Sequence, residues 1–388
     1  LITILHVVDL AGPNPWLNGV AEHHDRSRFR HLVASVGPRC GLHDALEERG
    51  VRSFVLNAPS YRHTATAVWR LTKIIRRERV DILQTHLFHP ATVGLLAATV
   101  TRVPLRIVTR HHSDFTTVFR RPLHRRIDRW HALAADHVMA ASHAVKRAMV
   151  RYEGVPEARI AVTPYGYDFT ALCPRLTPEA RAGLREHLGG DGSRLIATVA
   201  RLSVEKGHEY LFRAIPAVVR AHPEARFLLL GTGPLREQLE RLARDLGIDR
   251  HVEFLGWRSD ALDVMEASDL VVHPTLHEAF CSVIIESMAL ERPLVATDVA
   301  AAPEQVDHGE SGLLVPPRGP EALARGVLQL LDDPALAARL GREARRRVTE
   351  RFNFPRMMRE YEQLYEAWLA EKRTPARRPT PRCPAPTA

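Results

Sequence analysis

Short runs of β-branched and aliphatic residues alternate with stretches of helical periodicity along most of the chain. In the first half, runs at 2–8, 32–36, 53–56, 82–85, 106–109, 137–140 and 160–162 predict strands. The segments between them, such as 65–79, 91–101 and 142–152, are rich in helix formers. A second series of strands is predicted at 195–200, 227–231, 252–255, 270–273, 294–297 and 312–315. Strands separated by helices at this spacing require right-handed βαβ crossovers, which build a parallel sheet covered on both faces. The fold class is therefore α/β, with two Rossmann-like, doubly wound domains at 1–167 and 194–355. Between them, at 168–193, Pro, Gly and charged residues replace the apolar period and predict a linker. A final amphipathic helix is expected over 356–372, and the Pro- and Arg-rich stretch 373–388 reads as a disordered tail.

Composition agrees with two cores. A chain of 388 residues exceeds the size at which one core stops growing, and its 45% hydrophobic and 26% charged residues are those of a globular protein. These values argue against a disordered, collagenous or coiled-coil chain. No window nears the ~20 apolar residues that span a bilayer. The first residues, Leu1-Ile-Thr-Ile-Leu-His-Val-Val-Asp9, carry neither a basic leader nor a small-residue cleavage site, so a cytoplasmic protein is expected. Cys40, Cys173, Cys281 and Cys383 are scattered without metal-ligand spacing, so neither disulfides nor a structural metal is expected. The net charge of +9 is unevenly spread: residues 1–170 carry +10 and residues 171–388 carry −1. Such asymmetry suits an anionic partner: nucleic acid, a membrane surface or an acidic substrate.

Open α/β sheets bind ligands beyond the carboxyl ends of their strands, so chemistry is sought in those loops. One stretch stands out: His273-Pro-Thr-Leu-His-Glu278-Ala-Phe-Cys-Ser-Val-Ile-Ile-Glu286. A helix opening near Ala279 or Ser282 would offer the free amides of Phe280 to Val283, and its dipole, to a phosphate. Glu278 in the loop and Glu286 two turns on are placed to accept hydrogen bonds from hydroxyls. Phosphate between two polyols describes a nucleotide-sugar; the plain alternative is a capped helix with a solvated carboxylate. A second loop, Val199-Ala-Arg201-Leu-Ser-Val-Glu-Lys206-Gly207-His208, sets Arg201 and Lys206 beyond a strand end, where two cations can neutralise a diphosphate without a metal; the plain alternative is a solvated turn with ordinary surface charges.

Several motifs then follow in one order: Arg201 with Glu205-Lys206-Gly207, Leu230-Gly-Thr-Gly-Pro234, Val252-Glu-Phe-Leu-Gly256, the Glu278/Glu286 pair, Pro303-Glu304, and Gly309-Glu-Ser-Gly312-Leu-Leu-Val-Pro316. This ordered set resembles the donor-binding domain of the family-4 retaining glycosyltransferases of GT-B fold. The resemblance implies that Arg201 and Lys206 hold the donor diphosphate and that Glu286 binds the ribose. It also implies that Glu278 touches the transferred sugar, with the backbone of Ala279, Phe280, Cys281 and Ser282 assisting. Glu304 is expected near the cleft. Many members have Gly beside the Phe where this chain has Ala279 and Cys281.

The acceptor half carries fewer signals. The family's usual Gly-Gly loop is replaced by Asp9-Leu-Ala-Gly12-Pro-Asn-Pro-Trp16, which leaves Gly12 as the candidate for a close approach to the donor. His86 and His111 end predicted strands and match cleft-lining histidines of similar enzymes, with His112 replacing His111 if the register slips. Imidazole there can donate to a sugar hydroxyl or to a developing phosphate charge. The stretch Arg120-Arg-Pro-Leu-His-Arg-Arg-Ile-Asp-Arg-Trp130 gathers basic residues beside apolar anchors, which suits an anionic membrane as well as a solvated helix.

The reading is a GT-B transferase whose last helix returns to the first domain. Glu278, His111, Arg201 and Lys206 form the candidate catalytic set. The expected partners are a UDP- or GDP-sugar and a glycan, lipid-linked or small-molecule acceptor. No cofactor, no metal and no nucleic acid is expected, and the location is cytoplasmic or peripheral at the inner face of the plasma membrane. A nucleotide-sugar 2-epimerase of the same architecture and a non-catalytic basic scaffold remain as alternatives.

Overall fold

In the computed structural model, which describes residues 1–9, 14–111, 122–190 and 192–373, the chain builds two parallel sheets. The first contains β1 (Ile2–Val8), β2 (Phe29–Ser35), β3 (Arg52–Val55), β4 (Ile82–His86), β5 (Leu105–Arg110), β6 (His137–Ala140) and β7 (Ile160–Val162). Their spatial order is β3-β2-β1-β4-β5-β6-β7. The second contains β8 (Arg194–Val199), β9 (Ala225–Leu230), β10 (Val252–Gly256), β11 (Leu270–His273), β12 (Leu294–Thr297) and β13 (Leu313–Val315), in the order β10-β9-β8-β11-β12-β13. The order turns back between β1 and β4 and again between β8 and β11. A crevice opens at each turning point, and the two sheets face each other across it.

The period of two along each strand divides the first core. Leu5 and Val7 of β1 pack with Leu32, Leu56, Leu71 and Ile75 on one face, while Ile4 packs with Phe29, Ile82, Leu105 and Ile107 on the other. The second face is covered by the chain's last helix, Phe354–Arg373. Its Met357, Met358, Tyr361, Tyr365, Trp368 and Leu369 recur at helical spacing and lie on the first sheet, not on the second domain that precedes them. Gly19 makes room for this arrangement, since a Cβ there would stand 2.1 Å from the Phe354 ring. The Asp25 amide donates to Glu362 at 2.8 Å, and His137 stacks on Trp368 at 4.2 Å.

The chain crosses between the domains twice, side by side. The Tyr167 amide donates to the Phe352 carbonyl at 2.7 Å, and Tyr167 bridges Asn353. The helix Pro178–Gly189, within the stretch read as linker, packs Leu184 and Leu188 into the second domain's core. Glu266 fixes its approach by accepting from the amides of Arg175 (2.9 Å) and Leu176 (3.1 Å) and from the Arg181 guanidinium (2.8 Å).

Several boundaries differ from the sequence reading. β2 starts three residues earlier, at Phe29. The helix Phe88–Thr101 begins ahead of Pro90, because proline is tolerated in a first turn. The expected helix over 142–152 is His143–Ala148 followed by a π-turn at Met149–Glu153, closed by Gly154 at φ +65°. Gly12, His112 and Arg120 lie outside the described residues.

At the carboxyl end of β5, Arg110 is buried with two acids. Its Nη1 lies 2.7 Å from Asp128 of the helix Pro122–Ala134, and its Nη2 lies 2.9 Å from Glu153 of the π-turn. Burial pushes the Glu153 carboxyl up, and Arg110 opposes that shift. Removing the cation leaves carboxylates buried without it. Arg110→Met is expected to cost about 3–5 kcal/mol in chemical denaturation, and Arg110→Lys less.

Candidate active site in the interdomain cleft

Three loops at the carboxyl edge of the second sheet are packed backbone to backbone. Gly207 has φ +66°, and a Cβ there would stand 2.0 Å from the Pro274 carbonyl oxygen. A Cβ on Gly231 would come within 2.1 Å of the Ala200 oxygen, and one on Gly233 within 2.3 Å of the Leu202 oxygen. The loop carrying Arg201 and Lys206 is thus held between those after β9 and β11. The Glu205 carbonyl accepts from the Leu276 amide at 2.7 Å and from the Thr275 hydroxyl at 3.0 Å, which locks the loop ahead of Glu278.

This packing sets the Lys206 ammonium against the Glu278 carboxylate, both mostly shielded from solvent. Arg201 pairs with Glu205 and remains 64% exposed at the rim. Both cations predicted for a diphosphate are therefore already held by acids. An incoming anion would have to share or replace those carboxylates.

The helix after Glu278 is Ser282–Ala289, with Cys281 as its N-cap. The expectation that the amides of Phe280 to Val283 are all free needs one correction. The Gln305 side chain clamps Cys281, its Oε1 accepting from the Cys281 amide at 3.3 Å and its Nε2 donating to the Cys281 carbonyl at 2.9 Å. Among the described residues, the amides of Phe280, Ser282 and Val283 have no acceptor. The Cys281 thiol lies 3.0 Å from His273 Nε2, and both residues are buried. Burial pushes the thiol up and holds the His273 imidazole down at about 3, which favours the neutral form of each. His273, Glu278 and Cys281 bring one ligand atom each within 4.8 Å of one another. Lys206 already pairs with that carboxylate, and the thiol and imidazole pair with each other. Glu286 sits one wall over, partly buried; burial raises its carboxyl, and no side chain among the described residues pairs with it.

A cavity of about 710 Å³ joins Glu286 and Ser282 to the first domain, where Trp16, His86, His111 and Tyr165 line it. Trp16 belongs to the helix Pro15–His23, which Asn14 caps by accepting from the Leu17 amide at 2.9 Å. His111 reaches the cavity, with Nδ1 2.5 Å from the Tyr165 hydroxyl and Nε2 3.0 Å from His86 Nδ1. His86 also borders the cavity with its ring, and its nitrogens face His111 and His6, the latter at 3.2 Å.

Other contacts close the cleft. Glu304 accepts from the amides of His143 and Ala144 at 2.8 Å each, a second-domain carboxylate seated on a first-domain helix N-terminus. Ser142 donates to the Ala279 carbonyl at 2.8 Å, and Tyr167 meets the Ser282 hydroxyl at 2.9 Å. Sequence reasoning did not pick out Tyr165, Tyr167, Trp16, His273 or Gln305. The two tyrosines follow β7 directly, so the rule that strand-end loops carry the site would have flagged them.

The buried histidines give a pH dependence. His6 and His273 are held down at about 3 and His208 at about 4, each chiefly by burial. Unfolded histidine takes a proton near pH 6.5, so below that pH the unfolded chain binds more protons than the folded one. Stability is full above pH 6.5 and declines as pH falls. Urea denaturation should give a value of order 2–4 kcal/mol lower at pH 5.5 than at pH 7.5.

Two family models match the chain: Glycosyltransferase Family 4 over residues 18–171 and Glycosyl transferases group 1 over residues 184–347. An uncharacterized glycosyltransferase of Methanocaldococcus jannaschii is 30% identical over 232 residues, spanning 59% of each chain. The alpha-D-kanosaminyltransferase of Streptomyces kanamyceticus is 31% identical over 259 residues, covering 64% of this chain and 67% of that protein. Among solved structures, Anabaena HepE in complex with UDP superposes with a TM-score of 0.79 at 24% identity, covering 94% of this chain and all of that one.

Proposed function

Because the chain belongs to the family-4 glycosyltransferases (glycosyl transferases group 1), we propose that it moves a sugar from a UDP- or GDP-sugar to an acceptor hydroxyl, with retention at the anomeric carbon. The observation that carries this reading is the Lys206–Glu278 contact beside the open end of the helix Ser282–Ala289. A donor diphosphate brings the charge that would draw Lys206 from Glu278, and the carboxylate so released is an acceptor for hydroxyls of the transferred sugar. Ser282 and Val283 add amides and a helix dipole to the same anion. Glu286, with no side-chain partner among the described residues, suits the ribose. The HepE complex with UDP, a likeness of fold, is consistent with a nucleotide in this cleft.

Charge develops on the diphosphate as the glycosidic bond breaks. Preorganised cations and amides lower that barrier electrostatically, and we propose that they do so without a metal. No enzyme carboxylate is assigned as a nucleophile; the leaving phosphate oxygen takes the acceptor proton. Closing the cleft keeps water from the reacting carbon.

The acceptor side suits a glycan or glycolipid of the cell envelope. Leu123 (64% exposed) and Trp130 (41% exposed) stand out from the helix Pro122–Ala134 beside Arg125, Arg126 and Arg129. Cations around exposed apolar side chains favour an anionic lipid surface. No helix among the described residues is long and apolar enough to cross a membrane, so this would be peripheral contact.

Two measurements test the reading. Melting temperature with UDP, GDP or ADP, each in EDTA and in Mg²⁺, should rise for one nucleotide in EDTA, and Lys206→Ala should abolish the rise. A rise only with Mg²⁺ would refute metal independence, and no rise at all would remove the donor site. Cosedimentation with vesicles containing phosphatidylglycerol should fall several-fold in Arg125→Glu/Arg129→Glu and in high salt; equal retention by neutral vesicles would rule out the lipid surface.

A further inference from the structure

Four histidines form a continuous hydrogen-bonded row across the first sheet. His31, His6 and His86 lie on β2, β1 and β4, and His111 follows β5, so the row steps through four adjacent strands. His31 Nδ1 lies 2.8 Å from His6 Nε2, His6 Nδ1 lies 3.2 Å from His86 Nε2, and His86 Nδ1 lies 3.0 Å from His111 Nε2. The row ends at the cleft, where His111 Nδ1 meets the Tyr165 hydroxyl at 2.5 Å. His31, His6 and His86 are buried, and burial holds all three imidazoles down, His6 at about 3.

A neutral imidazole has one N–H and one lone pair, so a row of them can point only one way. If it runs inward, Tyr165 donates to His111, every Nε2 carries the proton, and His31 Nε2–H ends the row. That atom is buried and has no partner among the described residues. If it runs outward, every Nδ1 carries the proton and His31 Nε2 is left with only an unused lone pair. A buried N–H without an acceptor is the costlier orphan, so the outward direction is favoured. His111 then donates to the Tyr165 oxygen and accepts from His86. Tyr165 keeps its own O–H, which has no other partner among the described residues, and the residue lines the cavity that holds Glu286.

We propose that Tyr165 is the hydrogen-bond donor this wall presents to an oxygen of the bound nucleotide-sugar, and that His31, His6 and His86 are positioning residues that hold its direction. Successive N–H donors polarise one another, which strengthens the final O–H. The ligand chemistry rests on the transferase reading above; the direction of the row does not.

Long-range ¹⁵N–¹H correlation of the imidazoles in the full chain reads that direction without any ligand. His6, His86 and His111 are assigned by the signals lost in His6→Gln, His86→Gln and His111→Gln. Neutral Nδ1–H tautomers of His6 and His86 are expected from pH 8 to 6, with Nδ1–H on His111 at pH 8; Nε2–H tautomers of these rings would overturn the proposal. Tyr165→Phe removes only the hydroxyl. It should lower kcat for UDP release from UDP-glucose (GDP-mannose if GDP is the nucleotide that binds) by about 10²-fold. His6→Gln should lower kcat in the same direction with KM nearly unchanged, while a purely structural role would lower the melting temperature alone. Weaker binding of UDP-glucose but not of UDP by Tyr165→Phe identifies a sugar oxygen as the partner; weaker binding of both identifies a phosphate oxygen. Unchanged kcat and binding in Tyr165→Phe, with the Lys206-dependent nucleotide shift intact, overturns this proposal and spares the transferase reading. Absence of that nucleotide shift overturns the transferase reading instead.

Discussion

In a parallel sheet all strands finish at one edge, and where the strand order turns back two neighbouring loops diverge and leave a crevice. This chain contains that turn twice, at β1/β4 and at β8/β11, with the two crevices facing. The site residues follow from it. Arg201 and Lys206 follow β8, Glu278 follows β11, and His86 and His111 mark the ends of β4 and β5. A residue far along the chain arrives at the cleft because its strand ends there.

The architecture was legible because βαβ units write themselves as alternating periods, and strands buried on both faces need long apolar runs. The packing of the loops that carry Lys206 and Glu278 was legible too, through Gly207, Gly231 and Gly233. Each stands where a Cβ would strike a backbone carbonyl, so the glycines mark the contacts between loops. Less of the opposite wall could be read. His86 and His111 were recognised as strand-end residues, but only the side-by-side placement of β2, β1, β4 and β5 shows that His6 and His31 stand behind them. With 21 histidines in the chain, nothing local distinguishes those two. Tyr165 and Tyr167 were hidden for another reason: they stand just ahead of a stretch whose Pro, Gly and charged residues read as a plain connector.

Electrostatically the site is closed on itself. Lys206 holds Glu278, Arg201 holds Glu205, and Gln305 occupies the Cys281 backbone. A lysine beside an acid costs less to keep in a half-dry cleft than either charge alone. Among the described residues, the groups left without partners are the Glu286 carboxylate and the amides of Phe280, Ser282 and Val283.

The two crossings between the domains run side by side, joined by the Tyr167 amide on the Phe352 carbonyl. A single covalent strand between two bodies acts as a swivel and leaves them free to twist as well as bend. Two strands laced together act as a door hinge, which suppresses torsion and retains one rotation about the line through both. Tyr165 lies two residues from that axis, and the helix starting at Phe354 begins one residue from the bridge at Asn353. Rotation about that line would part the cleft walls most where they lie farthest from it, while Tyr165 beside the pin moves least. The wall nearest the hinge would thus keep its hydrogen-bond geometry throughout the stroke.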